Sequence, residues 1–387
     1  QHFFGFRPQN RAYIHFFRRY ERGHHAAEIE RFAALVKRGE EEIARIKKPL
    51  SRIYELVRED DYPDHEVPEQ TDPDLAAELA AFNLPEGFEI SLFASDPMIA
   101  KPININWDER GRMWVATSSI YPHLQPGPTP SDEIIILEDI DQDGRADKHT
   151  VFADGLLVPH SVIPGHGGAF VTQSTDLLFL KDTDGDGRAD ERRVVLTGFG
   201  NADVHHMIHG LRWGPDGDLY FSQSIYINSI IETPWGIRRS NGSCVWRLRP
   251  ETLRLEMYSQ GLTNPWGLAF DRGGQSFATD GAGGGGIAYL FPGSAYATQN
   301  YAGRQLSSLN RGKRPKECGL EYLSGRHLPE DWQDTVLTAD FRANRVTRYR
   351  LRAEGSGYSS EFLGDMITSS HRGFRPVDMK VGPDGAI

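Results

Sequence analysis

The chain of 387 residues is poor in cysteine, with only Cys244 and Cys318. That permits at most one disulfide and excludes a cysteine-only metal cluster. It has no run of ~18 apolar residues, so no segment can cross a bilayer as a helix. Positive charge is also in deficit: 43 basic against 54 acidic residues give a net charge of −11, which argues against a general nucleic-acid-binding surface. No Cys-x-x-Cys-His haem signature occurs. What is abundant is turn chemistry, with 40 Gly and 23 Pro.

Much of that turn chemistry repeats. Two acidic loops, Asp139-Ile-Asp141-Gln-Asp143-Gly144-Arg145-Ala-Asp147 and Asp182-Thr-Asp184-Gly-Asp186-Gly187-Arg188-Ala-Asp190, recur 43 positions apart. Each offers carboxylates at loop positions 1, 3, 5 and 9, a glycine for the sharp bend at 6 and a main-chain carbonyl at 7, from Arg145 or Arg188. That is the hard oxygen donor set calcium takes. Thr150 and Arg193 stand where an EF-hand carries its bidentate glutamate, so these are not EF-hands. The alternative is a metal-free hairpin closed by Asx turns. Apolar runs before and after each loop, such as Ile134–Leu137 and Leu177–Leu180, predict that both loops join two strands.

A second signature recurs from residue 107: Trp107-Asp-Glu-Arg-Gly111, Trp213-Gly-Pro-Asp-Gly217, Phe270-Asp-Arg-Gly-Gly274 and Val381-Gly-Pro-Asp-Gly385. Degraded forms stand at Gly165-His-Gly-Gly168 and Trp332-Gln-Asp334. The spacing resolves into six units of about 55 residues, each holding several short strands. No such unit buries both faces alone, which predicts an all-β, six-bladed β-propeller over residues 84–387 with its last blade cut short. Phe88–Phe93 reads as the strand that closes the ring.

Residues 1–83 differ in kind, as a helical extension and acidic linker. Apolar residues at 29, 32, 36, 43, 46, 50, 53 and 57 predict a helix that Pro49 kinks or splits. It either packs as an extension or self-associates as a coiled coil. Residues 59–71 read as linker, and Asp72–Phe82 as a short helix with Asp72 as N-cap. The chain opens on Gln1 and stops at Ile387 inside a recurring turn, which reads as a piece of a longer protein.

Propellers bind ligands where loops converge at one mouth of the central channel. The densest candidate segment is Asp203-Val-His205-His206-Met-Ile-His209, whose imidazoles could supply a general base or ligate a metal, or simply bond locally in a polar loop. Arg342, Arg372 and Arg375 suit an anionic ligand, or surface ion pairing. Gly281-Ala-Gly-Gly-Gly-Gly286 lacks the Lys-Ser/Thr of a phosphate loop and reads as a tight turn permitting close backbone approach.

Leu84-Pro-Glu-Gly-Phe88, His209-Gly-Leu-Arg-Trp-Gly-Pro-Asp-Gly217, Asn264-Pro-Trp-Gly267, Ser324-Gly-Arg-His-Leu-Pro329 and Phe374-Arg-Pro-Val-Asp378 resemble the membrane-bound dehydrogenase propellers of planctomycete and verrucomicrobial bacteria. More distantly the chain resembles soluble quinoprotein glucose and sorbosone dehydrogenases, six-bladed propellers that hold pyrroloquinoline quinone and calcium. The resemblance implies a sugar or alcohol dehydrogenase with His206 as the catalytic base and His205 beside it. It implies Asn264, Arg342, Arg375 and Gly281 at the cofactor. It departs from the pattern at Thr263, where those enzymes carry arginine, at Val377, which replaces the second of two arginines, and at Ala282, which replaces proline. It further implies a periplasmic or extracellular location and electron transfer to a c-type cytochrome domain or protein, with haem c only outside this segment. The competing expectation is a non-catalytic, calcium-stabilised propeller that binds polysaccharide or a protein partner.

Overall fold

The computed structural model describes residues 25–47, 74–122, 129–282, 285–298, 304–310 and 316–387. The chain divides into two units between Asp72 and Pro73. In the first, α1 (His25–Lys47) is a single helix whose side chains from Ala33 onward are exposed. The expected kink at Pro49, the remaining apolar positions to Val57 and the linker 59–71 lie outside the described residues.

The second unit starts earlier than Leu84. Helix α2 (Leu75–Ala80) is capped by Asp74, whose Oδ1 accepts the Ala77 N–H at 3.0 Å, so Asp74 rather than Asp72 is the N-cap. Strand β1 (Phe82–Asn83) then pairs with the edge of the last sheet, which ties residues 74–83 to the β unit.

Among the described residues, five sheets built mainly of antiparallel pairs follow one another along the chain. The first comprises β2 (Pro102–Trp107), β3 (Met113–Thr117), β4 (Asp132–Glu138) and β5 (Lys148–Leu156). The second comprises β6 (Pro159–Gly165), β7 (Gly168–Gln173), β8 (Asp176–Lys181) and β9 (Glu191–Thr197). The third begins with β10 (His209–Trp213) and β11 (Leu219–Gln223), releases a hairpin of β12 (Asn228–Thr233) and β13 (Gly236–Asn241), and resumes with β14 (Cys244–Arg249) and β15 (Arg254–Gln260). The fourth holds β16 (Pro265–Phe270), β17 (Ser276–Asp280) and β18 (Ile287–Leu290), after which β19 (Ser294–Ala295) pairs in parallel with β15. The fifth holds β20 (Glu317–Leu323), β21 (Thr335–Asp340), β22 (Arg345–Glu354) and β23 (Gly357–Ser369).

The first strands of successive sheets touch in the order β2, β6, β10, β16, β20. Residues 377–378 bridge the ends of that series: Gly319 N donates to Val377 O at 3.0 Å and Asn104 Nδ2 to Asp378 Oδ2 at 2.7 Å. The sheets are therefore arranged radially around a common axis, and the domain is a β-propeller. Residues 374–387 follow the fifth sheet and carry the recurring turn but no strand. The expected closing strand Phe88–Phe93 is also not a strand. Phe88 packs on the Trp332 ring at 4.4 Å, and Phe93 lends its carbonyl to Ala146 N at 2.9 Å, so this stretch serves as a filler between neighbours instead of a ladder member.

Packing explains the repeat. The apolar clusters lie between sheets: Trp114, Phe152 and Val171 join the first to the second, Phe179, Phe221 and Trp246 the second to the third, and Phe277, Leu320 and Tyr349 the fourth to the fifth. Each sheet buries one face on each neighbour, which is why closure of the ring is needed to exclude water from all of them. The four signature turns share one geometry. Gly111, Gly217, Gly274 and Gly385 have φ of 78, 76, 77 and 92°, and each donates its N–H to the residue three before it.

Candidate functional site

Both acidic loops sit where expected, joining β4 to β5 and β8 to β9. Carboxylate oxygens of Asp139, Asp141 and Asp147 come within 4.8 Å of one another, as do those of Asp182, Asp184 and Asp190. Backbone amides hold them there: Gly144 and Gly187 each donate to the first aspartate at 2.9 Å, and Ile140 and Thr183 donate to the last at 2.6 and 2.9 Å. The fourth expected carboxylates, Asp143 and Asp186, accept the amides of Arg145 and Arg188 at 2.8 and 2.7 Å instead, which fixes the bend that presents the carbonyls of Arg145 and Arg188. The Gly187 and Gly185 amides hold the Asp182 carboxyl below its ordinary value, and Thr183 does the same for Asp190. Each loop also grips its neighbour in the ring. Ala146 N reaches Phe93 O, and Ala189 N reaches Phe152 O at 2.7 Å.

At the opposite end of the repeat, loops from successive sheets meet in one series of contacts. Tyr121 from the first sheet packs edge-on against His205, ring centroids 5.4 Å apart. His206 stacks on Tyr226 at 5.1 Å, and its carbonyl accepts the Ser224 amide. Ser224 Oγ donates to Asn264 Oδ1 at 3.1 Å, while the Asn264 carbonyl accepts Gly281 N at 2.8 Å. A Cβ on Gly281 would stand 3.0 Å from the Glu317 carbonyl, so glycine lets these walls touch. Lys316 lies over the Trp266 ring at 5.9 Å and accepts the Phe341 amide, and Arg375 lies over Phe341 at 5.3 Å. Arg342 follows Phe341 and is exposed, as are Arg372 and Arg375. One series of contacts thus runs from His205 and His206 through Ser224, Asn264 and Gly281 toward Glu317 and Lys316, and on through Phe341 to Arg375, with Arg342 beside it only as the sequence neighbour of Phe341.

The three imidazoles have different surroundings. His206 is mostly buried, and its Nδ1 lies 2.7 Å from the Ile225 carbonyl. A carbonyl only accepts, so Nδ1 carries the proton and Nε2 keeps a lone pair. His205 is exposed, with Nδ1 3.1 Å from Asp203 Oδ1. Although partial burial raises the Asp203 carboxyl, the His205 amide and the nearby imidazoles bring it below its ordinary value. His209 is withdrawn from the mouth: it lies buried in the channel wall with its two ring nitrogens 2.6 and 2.7 Å from the Met207 and Pro265 carbonyls. Neither nitrogen is available to a substrate, because burial of the strand that follows carries this side chain inward.

Two groups at the site escaped sequence reasoning. His160, on β6, sits 2.9 Å from the Val204 carbonyl and holds the imidazole loop from beneath, and burial pushes its pKa down to about 3. Its only signal was a lone histidine in an apolar strand. Glu317 is fully buried, with Asn310 Nδ2 donating to Oε1 at 2.7 Å and Oε2 unpartnered. Burial pushes its carboxyl up to about 7 from 4.5. The folded chain therefore keeps a proton that the unfolded chain releases, and stability falls as pH rises from about 4.5 through about 7. Replacing Glu317 with Gln keeps the Asn310 bond and should flatten Tm across that window; an unchanged slope in a thermal-melt series would remove Glu317 as its source.

With this geometry in hand, comparison with known proteins is informative. Residues 74–387 match the model of a family described as a domain of unknown function, DUF7133. The chain belongs to that family. No curated protein matches it. Among solved structures, the PQQ-bound aldose sugar dehydrogenase of Streptomyces coelicolor superposes with a TM-score of 0.51 at 15% identity, over 77% of this chain and 88% of that one. The PQQ domain of the Coprinopsis cinerea pyranose dehydrogenase gives 0.54 at 13% identity, over 79% and 92%. A calcium structure of the Trichoderma reesei family AA12 carbohydrate-active enzyme gives 0.57 at 12% identity, over 79% and 93%. At these identities the likeness of the DUF7133 chain to them is one of fold.

Proposed function

We propose that this DUF7133 propeller is the catalytic domain of an extracytoplasmic, quinoprotein-like sugar or alcohol dehydrogenase. The observation that carries the reading is the His206 ring, whose proton is pinned on Nδ1 by Ile225 so that Nε2 keeps its lone pair. Such a ring is set to take the hydroxyl proton of a bound alcohol. Tyr226 holds its plane, and the Asp203 carboxylate 3.8 Å from Nδ1 stabilises the imidazolium that results.

The other side chains fit an anionic, flat cofactor such as pyrroloquinoline quinone. Among the described residues no ion pair joins Lys316, Arg342 or Arg375 to a carboxylate, so three cations close in the fold or sequence to Phe341 are left for an anion. Arg342 and Arg375 would hold carboxylates of the cofactor, Asn264 would offer its amide, and Gly281 leaves the wall flat. When bound, the quinone supplies the acceptor for the hydride that leaves the carbinol carbon. Thr263, in place of the relatives' arginine, makes the cation set smaller, and Lys316 restores one charge. Calcium in the two acidic loops clamps neighbouring sheets, and loops of this kind suit a periplasmic or extracellular setting where calcium is plentiful. Electrons would pass on to a c-type cytochrome domain or protein.

The direct test is reconstitution with pyrroloquinoline quinone and calcium, followed by dye reduction across a sugar and alcohol panel. Turnover on at least one member is expected. Tight cofactor binding without turnover on any would favour the competing role, a non-catalytic propeller that binds polysaccharide or a protein partner.

A further inference from the structure

A groove made of two cavities lies on either side of residues 304–310, which follow the edge of the fourth sheet. Residues 304–310 cross it, held by Leu306 N on Ala295 O at 2.8 Å and Leu309 N on Ile287 O at 2.7 Å. Ser307 and Ser308 form a sill in this crossing, and both line the cavities on either side of it. The inner cavity, of about 410 Å³, includes Thr263 and Asp280, the sequence neighbours of Asn264 and Gly281 at the mouth. The outer cavity, of about 620 Å³, lies against β22 and β23. The inner cavity lies on the side of the third and fourth sheets and the outer one on the side of the fifth, and Ser307 and Ser308 are common to both.

The lining of the outer cavity selects a class of ligand. Tyr349, Tyr358 and Phe362 contribute rings, Ser359, Ser360 and Asn310 contribute hydroxyls and an amide, and Glu354 is the one charged residue among the described residues of its wall. Phe362 is 41% exposed, with its ring 5.5 Å from that of Tyr349. The Ser360 hydroxyl is buried without a partner, a state that costs free energy unless something satisfies it. Flat apolar rings among uncharged donors and acceptors match a neutral ligand with C–H faces and hydroxyl edges. A nucleic acid or an acidic peptide would bring anions to a wall whose described residues include no cation.

We propose that this groove binds a neutral saccharide chain, so that the sugar reaching His206 is the end unit of an oligo- or polysaccharide. Only the identity of that end unit rests on the dehydrogenase reading. Binding along the groove needs neither cofactor nor turnover.

The experiment titrates the full chain, without cofactor, with malto-, cello- and xylohexaose and with glucose and xylose, by calorimetry. At least one hexasaccharide should bind ~10-fold or more tightly than its monosaccharide. Phe362→Ala should remove that gain and leave monosaccharide binding and Tm unchanged. Ser308→Trp, which fills the sill, should do the same by obstruction. Equal affinity for short and long sugars, no binding by any series, or a Phe362→Ala variant that behaves as the parent would each overturn the proposal. Length-dependent binding without dye reduction would sink the dehydrogenase reading and leave the groove standing.

Discussion

Replacing His206 with alanine will lower kcat of the quinone- and calcium-loaded protein by about 10²–10⁴-fold, the usual range for loss of a positioned general base. KM should change far less, because the ring contributes a lone pair to the reacting proton and little area to sugar binding. The companion variant His206→Asn separates chemistry from architecture. Asparagine can still donate to the Ile225 carbonyl, now 2.7 Å from Nδ1, and so keeps the loop in place, but it offers no base. It should be as inactive as alanine, with cofactor affinity and Tm retained. His205→Ala should cost much less, since that ring is exposed and tied to Asp203. Activity of both His206 variants within a few-fold of the parent would remove this residue from the mechanism, whatever happened to the rest of the mouth.

Calcium will raise the Tm of the metal-stripped chain by roughly 10 °C. Each loop gathers three carboxylates within 4.8 Å, a concentration of like charge that favours any divalent ion able to enter. Saturation to about 100 times Kd stabilises by about 2.7 kcal/mol for each site. A domain of about 310 residues gains roughly 1.5 °C for each kcal/mol, so two filled loops give roughly 8 °C, close to the stated rise. The paired variant Asp139→Ala, Asp182→Ala should abolish the response, while each single change should halve it, because the two loops share no carboxylate. Acid should reverse the effect. The Asp182 and Asp190 carboxyls lie below their ordinary value of 3.8, so what they contribute is present above that pH and disappears as pH falls further, when the ligands protonate and release the ion. Melting curves that stay superimposed up to millimolar calcium would reduce the loops to metal-free bends.

Much of the propeller was legible in the chain because its cues are local. A turn such as Trp213-Gly-Pro-Asp-Gly217 encodes its own geometry, since the positive φ of Gly217 and the Gly217 to Gly214 bond need no distant partner. The acidic loops are likewise self-contained, held by amides within nine residues of each aspartate. Phe88–Phe93 failed as a strand for the opposite reason. Alternating apolar residues say that a segment is half-buried, but a strand also needs an edge to pair with, and packing of Phe88 on Trp332 came first. The early start of the β unit was missed because β1 is only two residues long and exists through its pairing with Ser369 and Thr368.

Residue pattern by itself settled that this is a ring of repeated antiparallel modules with two carboxylate-lined bends, because periodicity and turn chemistry act over a few positions. Only the tertiary structure decided which imidazole faces outward and which is walled in. His205, His206 and His209 are nearly equivalent as letters, yet Asp203, Ile225 and Pro265 assign them three different fates. The same holds for Lys316, His160 and Glu317. Their significance comes from partners tens of residues away or on neighbouring sheets, and a one-dimensional pattern carries no record of desolvation or of which carbonyl a ring nitrogen will meet.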